Sequence, residues 1–506
     1  MFITFVGENI TKIGAKPLKS HSEFGAKLLK SHSEFGANCI YCSSFKYYTI
    51  FEETAFMDTI YFRRKIDKRL SEWFESKDHS PALVYGIRQC GKSKSIEQFA
   101  KSHFKNVNSI DFWKTPNAKI AFEESLEVDA ITKSLTGLFP SFKFVPHETV
   151  LILDEIQDCP KARLALKSFK KDGRYEIIAS GSYIGLNIDS SSVPKPNGSE
   201  DFLEMKTMDF EEFLWAMGYD DAFINDLLKH FKNKTEVPKA IHLKMKQLFN
   251  EYVCVGGYPE ALMKFINSNS YSEAFKKVKS LIIDIKGDPA KRKNEKEEFE
   301  YTATEIARIQ KAFDLIAAFV VKDNQRFITS KISGNSYQRS DAVNYLLNSS
   351  VAYKAFNVEV PSLPLAVRKI DAEFKLFYAD IGIMINELGF DVIKGILQNG
   401  LSLGMNKGYL YEAVVADSLY KANVPLFYFG KESGLEVDLV ISYNGDATLI
   451  EAKSTTGNTK SSKQIMKNPD HYGKTKLIKI GDYNISETGD ITTIPHYLTF
   501  VLGKEL

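Results

Sequence analysis

Apolar residues in the first half of the chain fall into short runs that end in small or polar residues, a pattern typical of buried strands. The runs are "ALVYG" at 82–86, "TVLILD" at 149–154 and "YEIIASGS" at 175–182. A helix-forming stretch, "KSIEQFAKSHF" at 94–104, follows the first run. Strands alternating with such a stretch predict an α/β fold with a parallel sheet.

Helical spacing of apolar residues appears elsewhere. It predicts a helix near 60–73 and a second over "MDFEEFLWAMG" at 208–218, where one apolar face favours core packing over a ligand pocket. Between two predicted helices, "VGGYPEAL" at 255–262 indicates a sharp turn. A hinge and a purely structural turn are both compatible with that pattern.

The middle of the chain is less regular. "KGDPAKRKNEKEEFEY" at 286–301 is rich in both charges and predicts a solvated linker or helix surface, with a regulatory contact as the alternative. "SYQRSDAVNYLLNSSVAYKAF" at 336–356 has a turn, an amphipathic helix and a β-like tail, which suits a winged helix. Arg339, Asn344 and Tyr345 would then face DNA, although winged helices also serve as packing modules.

A glycine loop between the first strand and its helix carries the candidate chemistry. Gly86, Gly91, Lys92 and Ser93 have the spacing G-x-x-x-x-G-K-S, whose backbone N–H groups cradle phosphates. Lys92 is expected to reach the β- and γ-phosphates of ATP, and Ser93 to ligate Mg²⁺. The remaining predicted nucleotide contacts are Arg88, Gln89, Cys90 and Lys94.

An acidic pair follows the second strand. Asp154 is expected to hold Mg²⁺, and Glu155 to orient or deprotonate the attacking water. The third strand ends in Ser180 and Ser182, either of which would sense the γ-phosphate; Ser182 is taken as the catalytic candidate, and a plain turn is the alternative.

A second set of polar residues lies near the C-terminus. Asp438 falls on a predicted strand, and Glu451 and Lys453 share one face of the next strand, since side chains alternate along a strand. Glu412 lies on the preceding helix. Three carboxylates would bind one or two divalent ions, Mg²⁺ or Mn²⁺, with Lys453 in a catalytic role. Seven lysines and one acid between 453 and 479 suit a phosphate backbone, and Gln464 is an accessory candidate.

These motifs together resemble a family of prokaryotic AAA-type ATPases whose C-terminal domain of unknown function is similar to PD-(D/E)xK nucleases and Holliday junction resolvases. The shared stretches include "GIRQCGKS", "LILDEIQ", "YVCVGGYPEAL" and "FKLFYADIGIM". The resemblance implies an AAA-type P-loop core at 57–220, a helical lid and linker at 221–300, a winged-helix segment at 301–365 and a restriction-endonuclease-like α/β domain at 366–506.

Composition limits the remaining classes. The 506 residues are 44% hydrophobic and 26% charged with a net charge of +2, typical of a globular protein of about three domains. No apolar run is long enough for a bilayer, so no membrane partner is expected. Five scattered cysteines form no disulfide framework, which favours the cytoplasm.

The first 56 residues predict an extension. "GAKPLKSHSEF" at 14–24 is repeated almost exactly at 25–35, which favours a recent duplication or an upstream start, with the functional protein beginning at Met57. A zinc site from His21, His32, Cys39 and Cys42 is the weaker alternative, because one CxxC pair carries little specificity.

The sequence therefore predicts an ATP- and Mg²⁺-dependent ATPase that moves a nuclease-like domain on branched or duplex DNA. The alternative is a nucleotide switch or scaffold whose C-terminal domain binds DNA or a protein without cutting. A homo-oligomer is left open, as is the arginine that would complete the ATP site; the candidates are Arg88, Arg163 and Arg174.

Overall fold

The structure, a computed structural model, describes residues 61–181, 198–292, 298–321, 326–402, 408–453 and 459–504. The N-terminal repeat, the zinc candidates and Ser182 lie outside these residues.

A five-stranded parallel sheet forms the first layer, in the order β2-β3-β4-β1-β5. Its strands are β1 (Ala82–Tyr85), β2 (Asn106–Asp111), β3 (Thr149–Asp154), β4 (Glu176–Gly181) and β5 (Asp201–Glu204). Its helices are α1 (Lys65–Glu75), α2 (Lys92–His103), α3 (Val128–Leu138) and α4 (Pro160–Asp172), with 3₁₀ turns at Pro116–Phe122 and Ile156–Asp158. The predicted parallel α/β fold is confirmed, and the order places β3 and β1 on either side of β4.

Helices α5–α9, called here the middle helices, come next. They are α5 (Phe210–Ala216), α6 (Asp221–Asn233), α7 (Lys239–Val255), α8 (Pro259–Ser268) and α9 (Tyr271–Gly287), followed by a 3₁₀ turn at Asp288–Lys291. Asp209 caps α5 by accepting a hydrogen bond from the Glu212 N–H, and Phe210 packs against Phe249 of α7 and Phe500 near the C-terminus. The apolar face of α5 is therefore core, as its spacing predicted.

An eight-stranded mixed sheet forms the second layer, in the order β12-β13-β11-β10-β9-β8-β6-β7. Its strands are β6 (Ala352–Val358), β7 (Lys369–Tyr378), β8 (Phe427–Gly430), β9 (Glu436–Tyr443), β10 (Asp446–Lys453), β11 (Thr475–Gly481), β12 (Ser486–Thr488) and β13 (Ile491–Pro495). The remaining helices are α10 (Ala303–Val321), α11 (Ser336–Asn348), α12 (Ile381–Leu388), α13 (Phe390–Asn399), α14 (Gly408–Lys421), α15 (Lys460–Met466) and α16 (Pro469–Tyr472). Short 3₁₀ turns lie at Thr329–Lys331, Leu365–Arg368, Gly400–Ser402 and His496–Gly503.

The boundary expected between 365 and 366 divides a hairpin. β6, which the sequence assigned to the tail of a winged helix, pairs antiparallel with β7 and parallel with β8, so it belongs to the second sheet. Alternation of apolar residues shows that a segment is a strand but does not show which sheet it joins. The second sheet therefore begins at Ala352.

One continuous apolar core runs between the two sheets. It includes Val84 and Ile178 of the first sheet, Tyr252 of the middle helices, and Ile441 and Ile450 of the second sheet. Separate apolar clusters cover the opposite face of each sheet.

Candidate nucleotide site

The loop between β1 and α2 needs glycine at both ends of its motif. Gly86 has a φ of 147° and Gly91, the N-cap of α2, a φ of 104°, where other residues are strained. A Cβ on Gly86 would also overlap the backbone carbonyl oxygen of Met205. Gln89, inside the loop, has a φ of 59°. This curled backbone ends at the N-terminus of a helix, the arrangement that favours phosphate.

Lys92 and Ser93 occupy the first turn of α2. The buried Lys92 donates from Nζ to the carbonyl oxygens of Gly86 and Ile87, 3.0 Å from each. Ser93 Oγ donates to Asp154 Oδ2 over 2.7 Å. The structure thus brings together the two predicted Mg²⁺ ligands, which are 61 positions apart in sequence.

Asp154 ends β3 and is the centre of this polar group. Its Oδ1 accepts hydrogen bonds from the Ser180 hydroxyl and, over 3.1 Å, from the Glu155 N–H. Ser180 is fully buried at the end of β4. Of the two serines that the sequence left open, Ser180 is the one that contacts Asp154 in the described structure.

Glu155 follows in a left-handed conformation with a φ of 52°. Burial raises the pKa of its carboxyl, and the nearby Asp154 also raises it, while the Gln157 side-chain amide, Lys92 and Arg88 act to lower it. A carboxylate whose pKa is raised towards neutral pH is a stronger base than an exposed carboxylate.

Arg64 is a residue of this site that the sequence did not single out. Its guanidinium donates to the backbone carbonyls of Cys90 (2.6 Å) and Lys206 (2.7 Å), and its Nε lies 3.1 Å from Glu212 Oε1. Only 4% of Arg64 is exposed. Its contacts connect the glycine loop to Lys206 and Glu212. The only signal in the sequence was a pair of arginines before a helix, and one of that pair, Arg63, binds the exposed Asp221 instead.

The three candidate arginines differ in their ion-pair partners. Arg163, in the first turn of α4, is paired with Glu200, and Arg174, between α4 and β4, is paired with Asp172 and Asp129. Arg88 lies in the glycine loop and forms an ion pair with Asp288, directly after α9.

The C-terminal candidates form two neighbouring ion-pair groups. Lys453 Nζ lies 3.1 Å from Asp438 Oδ2 and 2.9 Å from Glu451 Oε2. Glu451 is buried and also accepts a hydrogen bond from Ser462, while the Ala452 N–H donates to Asp438 over 2.9 Å. The predicted strand pair and shared face are present.

Glu412 belongs to the second group. Its Oε1 is 2.9 Å from Nζ of Lys375, a buried lysine on β7 that is also 3.2 Å from Glu436 Oε1. Burial raises the pKa of Glu412 to about 8, against the lowering effect of Lys375. Lys375 was missed because "FKLFYAD" reads as a continuous buried strand; the lysine inside that apolar run was the available signal.

The expected three-carboxylate metal site is not assembled. Within the described ranges, no group of three His, Cys, Asp or Glu side chains is arranged to hold a metal ion. Each carboxylate instead contacts a lysine, Glu412 with Lys375 and the other two with Lys453.

The expected DNA-facing residues of α11 also differ. Tyr345 is buried against Tyr301, so it cannot contact DNA in this arrangement. Asn344 is exposed, and Arg339 donates to the Gly334 carbonyl over 2.8 Å. Gln464 is exposed on α15.

Three family models match separate parts of the chain. Residues 78–214 match an AAA domain, 246–393 a domain of unknown function (DUF8612), and 407–497 another domain of unknown function (DUF4143). With the glycine loop and the strand order, the first match defines an AAA-like, parallel-sheet P-loop ATPase domain. No curated protein matches the chain.

Solved structures give distant similarity. The Walker-type ATPase PABY2304 of Pyrococcus abyssi is 14% identical, with a TM-score of 0.39, over 65% of this chain and 96% of that one. The Aeropyrum pernix ORC1 protein in complex with DNA is 12% identical, with a TM-score of 0.24, over 67% and 95%. AMPPCP-bound DnaA from Aquifex aeolicus is 16% identical, with a TM-score of 0.22, over 55% and 73%. Among the described helices, none has both the length and the apolar character needed to cross a bilayer.

Proposed function

We propose that the chain binds ATP with Mg²⁺ in the loop between β1 and α2 and hydrolyses it. The observation that carries this proposal is the contact of Ser93 with Asp154 beside a glycine loop that ends at a helix N-terminus. Hydroxyl and carboxylate oxygens are the ligands that Mg²⁺ prefers, so the residues present fit the ion. Bound there, Mg²⁺ would neutralise charge on the phosphate oxygens.

The protein residues then have distinct roles. The loop N–H groups hold the phosphates, and Lys92 exchanges the carbonyls of Gly86 and Ile87 for the β- and γ-phosphate oxygens. Glu155 accepts a proton from the attacking water. Ser180, hydrogen-bonded to Asp154, fixes the orientation of that carboxylate.

The test is ATP binding and turnover by the full chain with Mg²⁺. Lys92→Ala should weaken ATP binding about ten- to hundredfold, the value of a hydrogen bond to a charged group. Lys101→Ala is the matched control, because Lys101 lies on the same helix and pairs with the exposed Glu97. Equal ATP binding by the wild type and Lys92→Ala would overturn the proposal.

We also propose that the nucleotide cycle acts on the region 301–504, and that this region binds DNA or a protein without cutting. Each of the three candidate metal-binding carboxylates contacts Lys375 or Lys453, and no metal-binding group of three such side chains is found among the described residues, which supports the non-cutting module. The nuclease remains the competing proposal, with Glu412, Asp438, Glu451 and Lys453 as its site.

A cleavage and binding assay separates the two. Linear, branched and single-stranded DNAs are incubated with the protein, ATP and Mg²⁺ or Mn²⁺, and binding is followed by fluorescence anisotropy. Binding without cleavage supports the non-cutting module. Metal-dependent cleavage that Asp438→Ala abolishes, with ATP turnover unchanged, establishes the nuclease.

A further inference from the structure

The glycine loop is tied to the end of the middle helices through one charged residue. Arg88 forms an ion pair with Asp288, and beside it Gln89 Nε2 donates weakly to Asp284 Oδ2 over 3.5 Å. Arg88 is half-exposed, with 44% of its side chain accessible, whereas Asp288 is buried at 9%. The more exposed partner of this pair is therefore the one in the loop.

Asp288 is shared by a second arginine. Its Oδ2 lies 3.8 Å from an Arg292 terminal nitrogen, and the Arg292 guanidinium is 5.8 Å from the ring centre of Tyr345 on α11. The Arg292 carbonyl accepts a hydrogen bond from the Glu300 N–H, close to the start of α10. A line of contacts thus runs from the glycine loop through Asp288 to α11.

We propose that the phosphates of a bound nucleotide pair with Arg88 and break its ion pair with Asp288. Nucleotide binding in the loop then changes the contacts around Arg292 and α11. The inference rests on the proposed function. Two observations support it: Arg88 belongs to the loop that would hold the phosphates, and it is the more exposed partner of a pair whose buried carboxylate, Asp288, also lies near Arg292. A triphosphate carries more negative charge than a single carboxylate, and exchange of a half-exposed ion pair costs little.

In this proposal Asp288 competes with ATP for Arg88 and so weakens ATP binding. Asp288→Asn frees Arg88 and should lower the Kd for ATP on the order of two- to fivefold, the equilibrium value of an ion pair with one partly exposed member. Asp284→Asn is the matched control, one turn earlier on α9, where the contacts to Gln89 and Lys291 are long. It should leave the Kd unchanged.

A double-mutant cycle with Arg88→Gln separates this role from a structural one. On the Arg88→Gln background, Asp288→Asn should no longer alter the Kd. Hydrogen exchange supplies a second readout: a non-hydrolysable ATP analogue should speed exchange at 288–292 in the wild type and have less effect in Asp288→Asn.

Each outcome decides the inference. Unchanged Kd in Asp288→Asn, or the same change with and without Arg88, overturns it while leaving ATP binding through Lys92 intact. Failure of the wild type to bind ATP in a Lys92-dependent way overturns the proposed function and, with it, this coupling.

Discussion

At the scale of single residues, the candidate site depends on groups whose neighbours change their properties. Glu155 stands in a left-handed backbone conformation directly after Asp154. Burial raises the pKa of its carboxyl, so its protonation state changes closer to neutral pH than that of an exposed glutamate.

This shift predicts the pH dependence of ATP turnover. A base with a raised pKa loses its function as the pH falls through that raised value, so kcat/KM should decline on the acid side at a higher pH than an exposed glutamate would give. Glu155→Gln should lower kcat about 10²- to 10⁴-fold and leave ATP binding nearly unchanged. The measurement is turnover between pH 4.5 and 8; a flat profile in the wild type contradicts the role of Glu155 as base.

At the scale of elements, a buried charge group joins the middle helices to α12 and α14. Lys421, at the end of α14, lies 2.9 Å from Asp380 Oδ2 and 3.1 Å from Asp417 Oδ2, and it donates to the Tyr252 hydroxyl over 2.9 Å. The Gly257 N–H donates to Asp380, and a Cβ on Gly257 would overlap the Met208 carbonyl oxygen. The glycine pair therefore serves as a close-packed turn in this structure.

Removing Lys421, the cation of this group, should lower the free energy of unfolding substantially. Lys421→Met leaves two buried carboxylates uncompensated, which destabilises proteins by about 3–5 kcal/mol. Burial already raises the pKa of Asp417 to about 7, and Lys421 opposes that rise. Because the folded state then retains a proton that the unfolded state releases, stability falls as the pH rises towards that pKa. Loss of Lys421 extends this fall to higher pH.

Urea unfolding at pH 6 and pH 8 measures the effect. Lys421→Met should lose more stability relative to the wild type at pH 8 than at pH 6. Lys394→Met is the control, since Lys394 pairs with Asp391 on an exposed helix surface and should cost less than about 1 kcal/mol. Equal losses for the two variants would show that the buried group contributes no more than a surface pair.

The same residues show how much of the structure could be predicted from the sequence. The glycine loop was predictable because its geometry is local, and the contact of Ser93 with Asp154 followed because carboxyl ends of parallel strands meet at one edge. Lys375 was not, because its partners Glu412 and Glu436 are brought together only by tertiary packing. For the same reason neither the pairing of β6 with the second sheet nor the burial of Arg64 next to the glycine loop could be predicted from the sequence.

At the scale of the whole molecule, the apolar core is the main connection between the two sheets. It extends from Phe62 beside the first sheet to Leu502 near the C-terminus, and it includes residues of the middle helices and α14. Lys206 adds a polar link: its backbone carbonyl accepts from Arg64 next to the glycine loop, while its Nζ donates to the Tyr420 carbonyl over 2.7 Å. The glycine loop and α14 are thus linked through Lys206.

A shared core predicts one cooperative unfolding transition for residues 61–504. The three tryptophans, Trp73, Trp113 and Trp215, all lie in the first half of the chain, so their fluorescence reports the first sheet and α5. Hydrogen exchange in β9–β11 reports the second sheet. The two probes should give the same urea midpoint.

Bound nucleotide should raise the urea midpoints of both probes, tryptophan fluorescence and hydrogen exchange in β9–β11, together. At an ATP concentration of 100 times Kd, binding to the folded state alone adds about 2.7 kcal/mol, and Lys92→Ala should remove most of that gain. Should β9–β11 exchange at a lower urea concentration that ATP leaves unchanged, the two sheets would be independent folding units. The contacts of Lys206 and Lys421 would then carry no coupling from the loop to the C-terminal region.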